Sequence, residues 1–500
     1  MSRKKGVTLS YILLFVETLS SIFFTPFLIR SLGQAEYGLY SLVGSITSYL
    51  LLLDLGVGNA VVRYLAKFRV LNDKKKQQNV LALSLVFYLL IGLIVVIIGS
   101  ILKDILPSIF KIGLNEAEIK ILQVMFKVTM LNVAATFAFL IFDKALIAFE
   151  RFTFSKSIAI MRILLRITIC TIVLKAGGRG IDIVIVNFIL TILIGVISVL
   201  YVIFALNIKP HISGIDKGFV KEMFSYSIFI FIQMIATHIN SVTDQILLGI
   251  MTSSVTVGIY AVGAQVVQYV QSIAGSINGV LMPGVVRIVE LKAEPDRILD
   301  EMVRIGRILF MILGIIWINF LLFGRDFITL WAGLENADAY LVTTIITFPM
   351  VFYLTQAIGT QVLWAKGEHK TQAYLKIMVA VTNIALTLLL IKWNPIVGAS
   401  LGTAIAILFG DVFVMNIVFK KHINISMKKY YKGLFKGILP CLGLSLIVGL
   451  VMKFSGLVGW GGFILKCFIT TFAFILPMWI YGMNNYEKNL VLGIFRKFIK

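Results

Sequence analysis

Apolar residues in this chain come in runs of about 20, separated by short polar stretches, rather than at the spacing of one amphipathic face. A run of that length crosses the ~30 Å hydrocarbon core of a bilayer as a helix. The pattern predicts spans near 9–30, 38–60, 80–102, 119–142, 156–175 and 181–206. Six more are expected near 223–248, 257–283, 303–323, 340–365, 371–391 and 396–419, and a final pair near 434–452 and 460–482. The expected fold class is therefore an all-α polytopic membrane protein with about 14 transmembrane helices. No connecting stretch is long enough for a soluble domain.

Composition agrees. Hydrophobic residues make up 59% and charged residues 14% of the 500, with a mean hydropathy of +0.97, whereas soluble domains are about a quarter charged. This excludes a secreted disulfide scaffold, a disordered tail protein and a soluble enzyme. The three cysteines, Cys170, Cys441 and Cys467, lie inside apolar runs, so neither a disulfide framework nor a metal cluster is expected. The net charge of +22 would suggest nucleic acid in a soluble protein. Its placement says otherwise. With the N-terminus inside, the cytoplasmic segments hold 33 of the 46 Lys and Arg residues, the opposite side holds 9, and 4 lie within spans. That asymmetry is the positive-inside signal, and a missed span would have scrambled it. Both termini are expected in the cytoplasm and no nucleic-acid partner is implied. The basic start MSRKKGVTLS leads into a full span without a cleavage site, and reads as a retained terminus.

The chain carries a weak internal repeat. GLYSLVGSITSYL (38–50) lies against GIYAVGAQVVQYV (258–270) at an offset of 220, and Leu146/Leu363, Ala148/Ala365, Met161/Met378 and Lys175/Lys392 match at 217. Two nearly equal offsets join spans of the same order and direction. They predict a six-helix lobe over 1–210, a second over 211–422, and an extra helix pair with the C-terminus over 423–500. Six spans is an even number, so the repeats are parallel. Two such lobes enclose a cavity that opens to either side.

The stretch TPFLIRSLGQAEYGLYSLVGSITSYLLLLDLGVGNAVVRYLAKF (25–68) resembles the opening of the polysaccharide-transport, O-antigen-flippase-type proteins. The resemblance rests on Arg30-Ser31-Leu32-Gly33, Glu36-Tyr37-Gly38-Leu39-Tyr40 and Asp54-Leu55-Gly56-Val57-Gly58, with Arg63 after them. NPIVGASLGTAIA (394–406) is similar to that family's junction of spans eleven and twelve. These proteins belong to the multidrug/oligosaccharidyl-lipid/polysaccharide exporter superfamily. The resemblance implies a two-lobed fold that flips undecaprenyl-pyrophosphate-linked oligosaccharide from the cytoplasmic to the periplasmic or outer leaflet of the plasma (inner) membrane. It implies contacts with the bilayer and with polysaccharide assembly proteins. Phe24-Thr25 stands near where lipid II flippases carry an Arg-Asp pair, which leaves other polyprenyl-linked glycans.

Intramembrane charges are costly and mark transport pathways. Arg166 lies near the middle of the fifth span, with Arg162 one turn away on the same face. Two stacked guanidiniums suit a pyrophosphate, because each offers a bidentate fork. Lys127 in the fourth span, Gln265 and Gln268 in the eighth, and Arg30 and Arg63 within the resembling motifs complete the substrate-binding candidates. For Arg162 and Lys127, snorkelling to the membrane surface is the alternative; for the glutamines it is interhelical hydrogen bonding. Glu17, Asp54, His238 and Asp244 are candidates for carrying a coupling proton or sodium ion, or for fixed pairing between helices. No phosphate-binding glycine loop or zinc spacing occurs, so no cofactor, metal or catalytic residue is expected. Energy then comes from an ion gradient, the membrane potential or consumption of the product. Two other readings stay open. A cation-coupled multidrug exporter on the same fold predicts acidic and aromatic lining. An integral-membrane glycan polymerase or ligase needs a large outer loop, and the longest here, 103–118 and 324–339, have about 16 residues.

Overall fold

The structure, a computed structural model, describes residues 2–214, 218, 234–235, 237–240, 242–290 and 294–498, the side chains of 2–7, 279–290 and 494–498 aside. Among these residues all regular structure is helical. The chain divides into two compact units, 1–258 and 259–500.

The first unit opens with α1 (Ser2–Leu51), whose 50 residues would run ~75 Å if straight, far more than a bilayer core. It breaks at Gly33 (φ 75°, ψ 166°), a conformation open to glycine because it has no Cβ. The first two predicted spans lie on either side of this break. The second ends in a tight turn, Leu52–Asp54, followed by left-handed Leu55 and Gly56, before α2 (Val57–Val70). Next come α3 (Lys74–Phe110), α4 (Glu116–Ala148), α5 (Phe152–Lys175) and α6 (Gly180–Leu200), the last running into a π-helical turn at Tyr201–Ala205. Asp73 caps α3 by accepting from the Lys76 amide at 3.0 Å, and that bond holds its carboxyl below the usual range. Asn115 and Glu118 form a capping box on α4. α4 is the hub, packed by α1, α2, α3 and α6, with Leu122, Met125, Phe126 and Phe137 wholly buried. Residue 143 was expected in a cytoplasmic loop, but the helix continues to Ala148 and carries Asp143 and Lys144.

The unit closes with α7 (Val242–Met251) and the start of α8 (Ser254–Glu290). Gly38 of α1 and Gly258 of α8, identical in the sequence repeat, meet here. A Cβ on Gly38 would fall on the carbonyl oxygen of Ser254, and one on Gly258 would lie 2.7 Å from the carbonyl oxygen of Gln34. Backbone cannot retreat as a flexible side chain does. Gly38→Ala is therefore expected to destabilise by the ~1–3 kcal/mol of an overpacked contact, despite alanine's better helix propensity. Thermal unfolding of the detergent-solubilised protein checks this; an unchanged or raised melting temperature would refute it.

The second unit is built on α9 (Pro295–Ala332), the longest helix in it, against which α10 (Ala339–Thr355), α11 (Ala357–Ala365), α15 (Met427–Phe435), α16 (Ile438–Lys453) and α17 (Gly459–Pro477) all pack. Helix α12 (His369–Leu390) runs beside α13 (Pro395–Ala406) and a π-helical stretch at Ile407–Val414, which continues into α14 (Met415–Ile423). The chain ends in a second π-helical turn, Met478–Gly482, and α18 (Asn485–Phe498). The thirteenth predicted span is the pair α15–α16, bent by 48°. Arg307, 5% exposed, ties these parts together. Its Nε and Nη2 donate to the two carboxylate oxygens of Glu487 at 2.6 and 3.2 Å. Its remaining donors reach the carbonyls of Gly433, Lys436 and Gly482 at 3.1, 2.6 and 2.8 Å.

By length and apolar composition, 10 helical stretches, or 11 with the bent pair, are fit to cross a membrane. The difference from 14 has three sources. The first and second spans are joined in α1, the eighth lies in the partly described α8, and most of the seventh lies outside the described residues. Large apolar side chains stay exposed along the spans, among them Leu90, Leu93, Ile97, Ile447, Phe468 and Phe472, as lipid-facing residues do.

Candidate functional site

Helix α5 carries Arg162 and Arg166 on one face, both far from its ends: Arg166 is ~14 Å along the helix from Lys175, and Arg162 ~15 Å from Phe152. Each meets a neutral hydroxyl. Arg166 Nη2 donates to Tyr40 OH of α1 at 3.1 Å, and Arg162 Nη2 donates to Thr191 Oγ1 of α6 at 2.9 Å. The Nε–H of Arg166 is buried without a hydrogen-bond partner among the described residues. Among the described residues neither arginine forms a salt bridge. Asp143 of α4 is held instead by the buried Ser198 hydroxyl at 2.9 Å and feels the charge of Arg162 without direct pairing. The hydroxyls orient two cations while most of their ten N–H donors stay uncommitted among the described residues, and donors of this kind can bond a multivalent anion.

The other sequence candidates are dispersed. Lys127 is exposed on α4, and Arg30 and Arg63 are exposed with interactions of their own. Gln265 is half-buried and Gln268 exposed on α8. Glu17 is exposed on the first arm of α1 and forms no salt bridge among the described residues. Asp54 accepts from the buried Tyr88 hydroxyl at 2.6 Å, a bond that braces the α1–α2 turn against α3. His238 packs edge-on against Tyr49, ring centroids 6.4 Å apart. The Tyr49 hydroxyl bonds Thr243, and Asp244 beside it is buried and already engaged. Tyr49 thus brings His238 and the Asp244 segment to one place on α1, away from any bond with Glu17.

Sequence reading missed three features. Tyr40 stood in a resembling motif but not as an arginine partner. Asp143 was placed outside its span. A second charge pair, Lys376 Nζ to Asp411 Oδ1 at 2.8 Å, lies inside the second unit. Asp411 interrupts the apolar run AILFGDVFV, and the rule that singled out Arg166 applies to it equally. No cluster of three or more metal-ligating side chains occurs among the described residues.

The architecture matches solved transporters. A lipid II flippase, MurJ, in an inward closed conformation superposes with a TM-score of 0.73 over 96% of this chain and 100% of that one, at 15% identity. An inward-facing multidrug resistance MATE family transporter of the MOP superfamily gives 0.62 over 81% of this chain and 96% of its own, at 14% identity. A MOP superfamily transporter from Pyrococcus furiosus gives 0.56 over 84% and 97%, at 14% identity. No curated protein matches by sequence. The fold is that of the MurJ and MATE transporters, a multi-pass helical membrane architecture. Residues 3–289, more than half of the chain, match the family model described as polysaccharide biosynthesis protein. The chain belongs to the polysaccharide biosynthesis protein family, as its opening motifs imply.

Proposed function

We propose that this protein flips a polyprenyl-pyrophosphate-linked oligosaccharide, with undecaprenyl as the lipid, from the cytoplasmic to the outer leaflet by alternating access. The observation that carries the reading is the Arg162–Arg166 pair, mid-membrane on α5 and held by hydroxyls rather than carboxylates. Such a pair recognises pyrophosphate, the one part of the substrate common to many glycans. The family supports a role in polysaccharide assembly. In this reading 1–210 and 211–422 are the two rocking lobes, 423–500 is an appended pair, and the protein is a carrier rather than an enzyme. Lys127, Arg30, Arg63, Gln265 and Gln268 remain candidates along the glycan's path. Moving an anion toward the positive outside gains ~2.3 kcal/mol per charge per 100 mV, so an ion gradient is needed only to reset the empty carrier.

The test is translocation of a fluorescent polyprenyl-pyrophosphate oligosaccharide in liposomes holding the purified protein. Flipping that requires the pyrophosphate supports the reading. Export of organic cations with no flipping would establish the multidrug exporter in its place. The protein resides in the plasma membrane with both termini in the cytoplasm. Reporter fusions after residues 110 and 330 are expected to read extracytoplasmic, and those after 75, 290 and 428 cytoplasmic. A cytoplasmic signal at 110 would overturn this topology.

A further inference from the structure

We propose that Asp411, on the π-helical stretch between α13 and α14, and Lys376 of α12 form the proton-binding site that drives the carrier's return step. This rests on the transport reading above and adds to it where the driving ion binds.

The pair is enclosed in the second unit. Asp411 is 5% exposed at its side chain and Lys376 18%. Lys376 lies ~10 Å along α12 from its cytoplasmic end at His369. Its ammonium also sits 4.7 Å from the centre of the Tyr353 ring of α10. The π-helical stretch supplies the geometry. It lets Gly410 lie against Val379, one turn after Lys376, while Asp411 points at the ammonium. π-helical segments replace the i→i+4 bonds of the α-helix with i→i+5 bonds and are frequent at functional sites. A buried ion pair is likewise a poor device for stability alone, since apolar residues of similar volume serve as well or better.

Among the described residues Lys376 is the charged group bonded to Asp411, and Lys420 and Lys421 of α14 are exposed. From α12, Lys376 faces it, while Tyr374 is exposed. From α10 comes Tyr353, and α13 offers no titratable group. From α14, Asn416 is committed to Gln356 and Tyr431, and His422 donates to Glu368 at 2.9 Å. A sodium ion needs several oxygen ligands, whereas a proton needs one base. A lone carboxylate with a built-in ammonium counter-ion suits the proton.

In the sequence repeat this site and the anion site fall at different positions of the two halves. At the offset of 217, Arg162 and Arg166 correspond to Val379 and Asn383, while Lys376 and Asp411 correspond to Ala159 and Ile194. Each half is apolar or neutral where the other is charged. The first half holds the anion and the second the proton.

In the paired state Asp411 is a carboxylate and Lys376 its ammonium. A proton entering from outside adds to a carboxylate oxygen of Asp411, and the hydrogen bond from Lys376 is given up. The freed ammonium is then a buried cation without a counter-ion, which α12 relieves by moving against the π-helical stretch. Release of the proton to the cytoplasm restores the pair.

The test uses the full-length protein in liposomes. Infrared difference spectra between neutral and acidic pH, taken without any glycan, are expected to show a protonated-carboxyl band that Asp411→Asn loses and Asp411→Glu shifts in frequency. A band unchanged in both variants, or no band, would overturn the proposal whatever the substrate. In the flipping assay, an inward proton gradient is expected to accelerate repeated turnover of the wild type. The Lys376→Gln/Asp411→Asn double variant, which removes both charges together, is expected to flip without that acceleration. Acceleration equal to the wild type in the double variant would make the pair purely structural. A substrate that is not flipped at all would refute the transport reading and leave the spectroscopic result standing.

Discussion

Arg307→Ala is expected to cost about 3–5 kcal/mol, the range for removing one partner of a buried ion pair. All five of its N–H donors are used, so the alanine variant loses every bond at once. It strands Glu487, 2% exposed, and three carbonyls that end or interrupt helices. Two of those, Gly433 and Lys436, flank the bend between α15 and α16; Gly482 ends the second π-helical turn. The cation therefore also answers the partial negative charge of converging helix ends. Arg307→Lys is expected to recover only part of the stability, because one ammonium cannot span carbonyls in three directions. A double change, Arg307→Met with Glu487→Leu, removes the stranded charge and is expected to be milder than Arg307→Ala. Size-exclusion profiles and thermal unfolding of the detergent-solubilised protein are the measurements. An alanine variant as stable and monodisperse as the wild type would show that α18 and the last two spans are held by something else.

The clamp also shows what a sequence conceals. Hydropathy locates membrane, and wherever residues are described the predicted apolar runs fall on helices, because a bilayer imposes their length. It does not locate helix ends. A charge closes a hydropathy window while the helix runs on, which is why Asp143 and Lys144 were placed in a loop although α4 reaches Ala148. Breaks within spans were equally hidden. The bend after Phe435 sits on left-handed Gly437, and the π-helical stretch at Ile407–Val414 leaves the apolar pattern almost unchanged, so hydropathy marks neither. Arg307 lies near the start of the predicted 303–323 span, and nothing local in the sequence names its partner Glu487, 180 residues away. Arg162 and Arg166 were legible from depth and spacing alone. Tyr40 and Thr191, 126 and 29 positions distant, were not. Charge in a span announces a site; the groups that orient it come from whichever helices pack beside it.

Arg166→Ala is expected to abolish glycan export while membrane abundance stays normal, with Arg162→Ala weaker in the same direction. A charged hydrogen bond is worth roughly 1.5–3 kcal/mol, about 10- to 150-fold in affinity, and a bidentate contact loses two. The Tyr40 hydroxyl occupies one Arg166 donor, and the buried Nε–H has no acceptor among the described residues. Stability is expected to change little, because the alanine variant leaves behind a tyrosine hydroxyl rather than a buried charge. Arg166→Lys keeps the charge but not the fork, so partial export is expected. Tyr40→Phe frees the guanidinium to swing, and is expected to weaken binding of the lipid-linked glycan without abolishing it. The decisive comparison is export against abundance in the same cells, followed by flipping in liposomes. A stably expressed Arg166→Ala protein that exports at the wild-type rate would remove Arg166 from the path. The pyrophosphate would then be recognised elsewhere, and Lys127 would be the next residue to change.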